Sequence, residues 1–157
     1  MDFHLVASDL ENIMEDAMGK TVIFTSYVDT VESIYNDVKG MGYNPVACYG
    51  KTSDEIPNNV KMFQNNKDVN PLVASIQTLS TGVTLTAANT MIFSNRPWRS
   101  VDFSQARDRI YRIGQKLPCF IFTLILDTGT EENLSTRMEE VMSWSKEMFE
   151  RMVGDRV

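Results

Sequence analysis

An α/β fold with a doubly wound, mostly parallel sheet is the class this sequence predicts, and two observations carry that reading. Short runs rich in β-branched and aromatic residues, apolar on both faces, recur along the chain, and segments with apolar residues at helical spacing separate them. Strands buried on both faces and connected through helices are what a parallel sheet covered by two helix layers requires. The length agrees: 157 residues make one domain, large enough for a core that stands unaided.

The elements follow in order. Residues 8–18 (SDLENIMEDAM) read as a helix with Ser8 or Asp9 as N-cap and Gly19 as its stop. Thr21 to Ser26 (TVIFTS) is a β-branched run suited to a buried strand. Over 29–40, Val31, Ile34, Tyr35 and Val38 fall at helical spacing, and Gly40 and Gly42 end the segment. Pro45 to Tyr49 forms a second strand closed by Gly50. Ile56, Val60 and Phe63 mark a helix over 54–65, where Pro57 is tolerable only in the first turn. Pro71–Ser75 and Thr90–Ser94 are the third and fourth strands, and 101–112 is a polar-faced helix stopped by Gly114. Cys119 to Leu126 (CFIFTLIL) is the longest continuous apolar run, which predicts a central parallel strand. Finally, Leu134, Met138, Val141, Met142, Met148, Phe149 and Met152 lie on or near one face of a long helix over 131–153. The expected division is a linker helix or boundary segment over 1–19, an α/β lobe over 20–128 and a C-terminal helix over 129–157 that packs on the lobe.

Composition narrows the classes. Hydrophobic residues at 43% and charged residues at 23% are a globular balance without a disordered signature. No apolar run approaches the roughly 20 residues of a membrane-spanning helix, and Met1-Asp2-Phe3-His4 does not open a secretory signal. A soluble, intracellular protein is expected, cytoplasmic in a bacterium or virus and nuclear in a eukaryote. The two cysteines, Cys48 and Cys119, lack CxxC spacing and sit in apolar runs, as small buried hydrophobes do. A single histidine, His4, excludes His-based triads and His-rich metal sites, and no metal ligand set is expected. The net charge of −6 weighs against a free-standing nucleic-acid binder but not against a module that adds a few phosphate contacts beside a partner.

Two phosphate-loop signals fail. Gly19-Lys20-Thr21 and Gly50-Lys51-Thr52 match the tail of G-x-x-x-x-G-K-[ST], but Met14 and Pro45 stand where the first glycine belongs. A phosphate loop leaves a strand and enters a helix, so that N-terminal amides face the anion; the first GKT opens a strand instead.

The informative stretch is 104–115, Ser-Gln-Ala-Arg-Asp-Arg-Ile-Tyr-Arg-Ile-Gly-Gln. On a helix, Gln105, Arg109 and Arg112 fall at i, i+4 and i+7 on one face. A guanidinium presents forked donors that match phosphate oxygens and stays charged at any working pH. Two of them on consecutive turns suit a triphosphate offered from across a cleft. On spacing alone the simpler reading is a solvated, salt-bridged helix in which Asp108 pairs with Arg112.

This stretch resembles motif VI of Swi/Snf-type superfamily-two helicases, QAxDRxHRIGQ, with Tyr111 in place of the histidine. Further resemblances keep the family's order. Val22 to Tyr27 is similar to motif IV, Tyr49-Gly50-Lys51-Thr52-Ser53 to the turn after the second strand, and Phe63 to the phenylalanine of the next helix. Ser80 to Phe93 (STGVTLTAANTMIF) is similar to motif V and its extension, and Gly129-Thr130-Glu131-Glu132 to the GTxEE that opens the last helix. The family's Trp-Asn-Pro is Trp98-Arg99-Ser100 here. The resemblance covers about residues 20–150, and the motifs of the family's first lobe are absent.

It implies a RecA-like C-terminal helicase lobe that works with an N-terminal RecA-like lobe, in the same or a separate chain, and is inactive alone. ATP with Mg2+ would be held mainly by that other lobe, while Arg112 acts as arginine finger, Arg109 as its companion and Gln105 as the group orienting water or the arginines. Gly82, Val83 and Thr84 would lie near the nucleotide. Thr25, Ser26, Lys51, Thr52, Ser53, Ser80 and Thr81 would contact the phosphates of DNA, double-stranded by the resemblance, without reading sequence. For these roles the two guanidiniums should stay out of the interior and face the sheet's carboxyl edge. The alternative is a non-catalytic module of the same fold that docks a partner protein through its acidic surface or the 131–153 helix.

Overall fold

The computed structural model describes residues 4–94 and 100–124, with the side chains of 9–78, 82–94 and 102–124. Trp98, the 129–132 stretch, the helix expected over 131–153 and the His4 side chain lie outside this set.

Five strands, β1 (Lys20–Thr25), β2 (Val46–Cys48), β3 (Leu72–Ser75), β4 (Ala88–Phe93) and β5 (Phe120–Thr123), form one sheet in the order β2-β3-β1-β4-β5. Every pairing is parallel; Phe24, for example, lies opposite Ala74 on one side and Phe93 on the other. Parallel neighbours cannot be joined by a hairpin, so helices carry the crossovers. The described helices are α1 (His4–Asp16), α2 (Val28–Gly40), α3 (Ile56–Asn65) and α4 (Ser100–Ile110). Short 3-10 helices over Gly50–Glu55 and Ile76–Thr81 follow β2 and β3.

Side chains alternate across a strand, and the core divides accordingly. On one face Val22, Phe24, Leu72, Ala74, Met91 and Phe93 pack with Ile56 and Phe63 of α3 and with Ala106 and Ile110 of α4. On the other, Ile23, Val73 and Ile92 pack with Leu10, Ile13 and Met14 of α1 and with Val31, Ile34 and Val38 of α2. Helices on both faces make this the doubly wound sheet of a RecA-like lobe. Among the described residues no helix is long and apolar enough to cross a membrane. Both cysteines are buried, and burial pushes each thiol up to about 12.

Three details differ from the sequence reading. β5, expected at the centre, lies at the end of the sheet and pairs only with β4 among the described strands. Its apolar run reports burial on its faces, with Ile121 in the α3–α4 layer and Leu124 in the α1–α2 layer, rather than neighbours on both edges. Helix α1 begins at His4, so Ser8 and Asp9 lie within the helix and not at its N-cap position. The 54–65 segment is a 3-10 turn through Glu55 followed by α3, with Pro57 in the first turn, where its missing N–H breaks no bond.

Phe63 is fully buried between α3 and the sheet, so Phe63→Ala leaves a cavity that the close-packed layer cannot collapse. Its expected cost is about 3–5 kcal/mol in equilibrium urea denaturation. A loss below about 1 kcal/mol would mean that this layer is not the packed core described.

Candidate functional site

Helix α4 starts beside the carboxyl end of β4, where Phe103 stacks on Phe93 with ring centroids 5.3 Å apart. It then runs back along the sheet. At its far end the Arg109 carbonyl accepts a 3.0 Å bond from the Leu85 N–H, in the segment that leads into the amino end of β4. The helix stops at Ile110, because Tyr111 turns inward: its ring is buried and its hydroxyl donates to the Cys119 carbonyl at 3.3 Å. The side chain that replaces the family's histidine is therefore a core anchor. Gly114 completes the turn at φ +104°, a left-handed conformation that favours glycine.

Arg112 consequently lies in the turn rather than on the helix. Its Nη1 donates to the Thr84 hydroxyl at 2.9 Å and to the Gly82 carbonyl at 3.4 Å, and its Nε donates to the Asp108 carbonyl at 2.9 Å. The carboxylate of Asp108 is paired instead with Arg107 at 3.0 Å, so the Asp108–Arg112 ion pair that spacing allowed is not formed. Arg109 reaches the same place: its guanidinium stands 3.9 Å from where a Cβ on Gly82 would be. Gly82 itself adopts φ +70°, which leaves this approach open. Burial first, and the charge of Arg112 second, push the Arg109 guanidinium below the ordinary arginine value. Two like charges held this close favour an anion between them. Gln105, one turn before Arg109, is exposed, and Val83 is half-buried between Gly82 and Thr84.

The structure thus brings Arg109, Arg112, Gly82, Val83 and Thr84 together. Both arginines remain partly exposed and out of the interior. The Arg109 main chain lies near the amino end of β4, because a helix that follows a parallel strand has to run back along it, while both guanidiniums reach Gly82, the residue after the Ile76–Thr81 turn. An open sheet binds its own ligands at the carboxyl edge.

The hydroxyl set comes from the turns after β1, β2 and β3, and Thr81 adjoins Gly82 of the arginine site. Thr25 ends β1, Ser26 follows it, Lys51, Thr52 and Ser53 occupy the 3-10 turn after β2, and Ser80 and Thr81 lie in and at the end of the turn after β3. Because β2, β3 and β1 are neighbours, all three turns leave the same carboxyl edge of the sheet. Several already have partners. The Thr25 Oγ1 accepts from Tyr27 N–H at 3.3 Å. Thr52 Oγ1 accepts from Tyr49 N–H at 3.1 Å and lies 3.2 Å from the Ala47 carbonyl, so this hydroxyl shapes its own turn.

The lysines of both GKT sequences are likewise accounted for. Lys20 donates to the Phe63 and Asn66 carbonyls at the end of α3, where a cation complements the helix dipole, and lies over the Phe63 ring. Burial lowers its pKa, opposed by Asp68. Lys51 pairs at 2.8 Å with Glu32, which also accepts from the Tyr49 hydroxyl at 2.8 Å. Hydrogen bonds from Lys51 and then Tyr49 hold the Glu32 carboxyl below the usual range, and Glu32 raises Lys51 in return. Glu32 was invisible in the sequence as a site residue, since it comes from α2, 19 positions away from Lys51.

Residues 6–114 match the family described as helicase conserved C-terminal domain. The chain belongs to that family, in its Swi/Snf-type branch of ATP-dependent helicases. It is 28% identical over 131 residues to the human DNA excision repair protein ERCC-6-like, covering 82% of this chain and 10% of that protein. It is 34% identical over 113 residues to the DNA repair protein rad8 of Schizosaccharomyces pombe, covering 71% of this chain and 10% of the relative. The chain thus spans about a tenth of each of these two proteins. The crystal structure of the C-terminal part of the Fun30 ATPase domain superposes with a TM-score of 0.71 at 20% identity, covering 95% of this chain and 52% of that one. That likeness shows the fold.

The bonds at Thr52 predict a local role that can be measured. Thr52→Ala should destabilise the folded chain by about 1 kcal/mol, the usual cost of a lost cap, with Thr52→Ser close to wild type. An alanine variant as stable as wild type in urea denaturation would show that the hydroxyl does not hold the turn.

Proposed function

We propose that this chain is the second motor lobe of an ATP-dependent DNA helicase or translocase. In this reading Arg112 is the arginine finger, Arg109 its companion on the phosphates, and Gln105 the group that orients the attacking water or the arginines. The observation that carries it is the convergence of Arg109 and Arg112 on Gly82, on the open surface of the lobe. The donor set fits a nucleotide triphosphate: two forked cations meet at one point, and Arg112 is held there by neutral oxygens. Among the described residues no three His, Cys, Asp or Glu side chains are grouped to hold a metal. The proposal accordingly gives Mg2+ and the phosphate cradle to an N-terminal RecA-like lobe, in the same or another chain, with Gly82, Val83 and Thr84 lining the near side.

The domain roles follow from this reading, with 1–19 linking the lobes, 20–128 forming the motor lobe and 129–157 packing on it. The carboxyl edge carrying Thr25, Ser26, Lys51, Thr52, Ser53, Ser80 and Thr81 faces the phosphates of duplex DNA. The relatives' descriptions as DNA repair proteins support that polymer and a nuclear or otherwise intracellular setting.

Alone, this chain should hydrolyse ATP negligibly. In the complete two-lobe protein, Arg112→Ala should slow hydrolysis by about 10³–10⁵ while nucleotide binding largely survives. Lysine should not restore it, because a point charge lacks the forked donors. Wild-type turnover in Arg112→Ala would end the finger assignment.

A further inference from the structure

We propose that Gln115 is a positioning residue for hydrolysis: its side chain sets the place of Arg112, a role that rests on the finger reading above. The geometry is specific. The Gln115 Nε2 donates to the Ala88 carbonyl at 2.8 Å and to the Ile110 carbonyl at 3.0 Å. Its Oε1 accepts from the N–H groups of Lys116 at 3.1 Å and Leu117 at 3.2 Å. An amide side chain offers two donors and two acceptor directions, and all four are used. One side chain therefore ties together the last residue of α4, the first residue of β4 and the chain that leaves the turn.

Arg112 lies inside the loop so closed. Its N–H donates to the Ile110 carbonyl and its own carbonyl accepts from the Gln115 N–H, both at 3.0 Å. The turn is anchored on the Ala88 end of β4, and β4 is reached through the Gly82–Ala87 segment whose Gly82 and Thr84 hold the Arg112 guanidinium. Gln115 thus fixes the arginine's backbone against the same segment that its side chain touches. The requirement is for an amide of this length. A carboxylate would face two carbonyl oxygens with no proton to offer, and asparagine is one methylene too short to span strand and helix end. Misplacing a reacting group by about 1 Å can cost about 10²-fold in rate, so a loosened turn should be visible in turnover.

The test is a double-mutant cycle in the complete two-lobe protein, with Gln115→Met, Arg112→Ala and both together. Single-turnover hydrolysis, ADP affinity, affinity for ADP–aluminium fluoride and thermal unfolding are measured for each. Gln115→Met should slow hydrolysis and weaken ADP–aluminium fluoride binding about tenfold while ADP affinity stays within about twofold. The double variant should be no slower than Arg112→Ala, since a residue acting through Arg112 has nothing left to position. Wild-type hydrolysis in Gln115→Met, equal weakening of ADP and its fluoride complex, or a double variant slower by the full methionine factor would each overturn the inference and leave the finger intact. Wild-type hydrolysis in Arg112→Ala would remove the finger reading and this inference with it. Should the methionine variant fail to fold, Gln115→Asn keeps the uncharged amide, shortens its reach by one methylene, and carries the same cycle to the same outcomes.

Discussion

The whole lobe is arranged around β1. This strand is hydrogen-bonded in parallel on both edges and buried on both faces. A strand so enclosed cannot be reached by hairpins, so every neighbour arrives through a crossover. Crossovers put helices on both faces, turns along the carboxyl edge and the far ends of the helices at the amino edge. The two candidate surfaces are consequences of that rule. Hydroxyl-rich turns collect where β2, β3 and β1 end, and the end of α4, having run back along β4, carries arginines whose guanidiniums meet at Gly82, just past the turn after β3.

Arg112 also shows how a charged surface group is held in a defined place without an ion pair. Arg112 is bonded only to neutral oxygens, from a hydroxyl and main-chain carbonyls. Such partners orient a guanidinium while leaving its charge available to an incoming anion. A carboxylate in the same position would neutralise it, and Asp108, the one within helical reach, is engaged by Arg107. In the turn after β2 the cationic candidate is held differently. Lys51 is paired with Glu32, so a phosphate there would compete with a carboxylate. That pair is exposed, and exposed pairs are worth little and weaken with salt, which makes exchange of one partner for another feasible.

Much of this architecture could be read from residue order. The alternation of β-branched runs with helical spacing located all five strands and the described helices, and the QAxDRxxRIGQ stretch identified the family. The rejection of both GKT sequences as phosphate loops rested on missing glycines, and the structure supplies the physical reason, since each lysine serves a carbonyl or carboxylate of its own lobe. Boundaries were less accurate where a long-range contact decides them. Helix α4 stops at Ile110 because Tyr111 finds a buried partner at Cys119, which no window along the chain contains.

Local pattern therefore specified the elements, their type and the residues able to meet a phosphate, because propensity, periodicity and side-chain chemistry are properties of short stretches. Which strand lies at the sheet's end, that Arg112 leans on Thr84 instead of Asp108, and that Gln115 joins helix, strand and turn were settled only on folding. Those are contacts between segments about 30 residues apart, and they exist only once the sheet has brought the segments together.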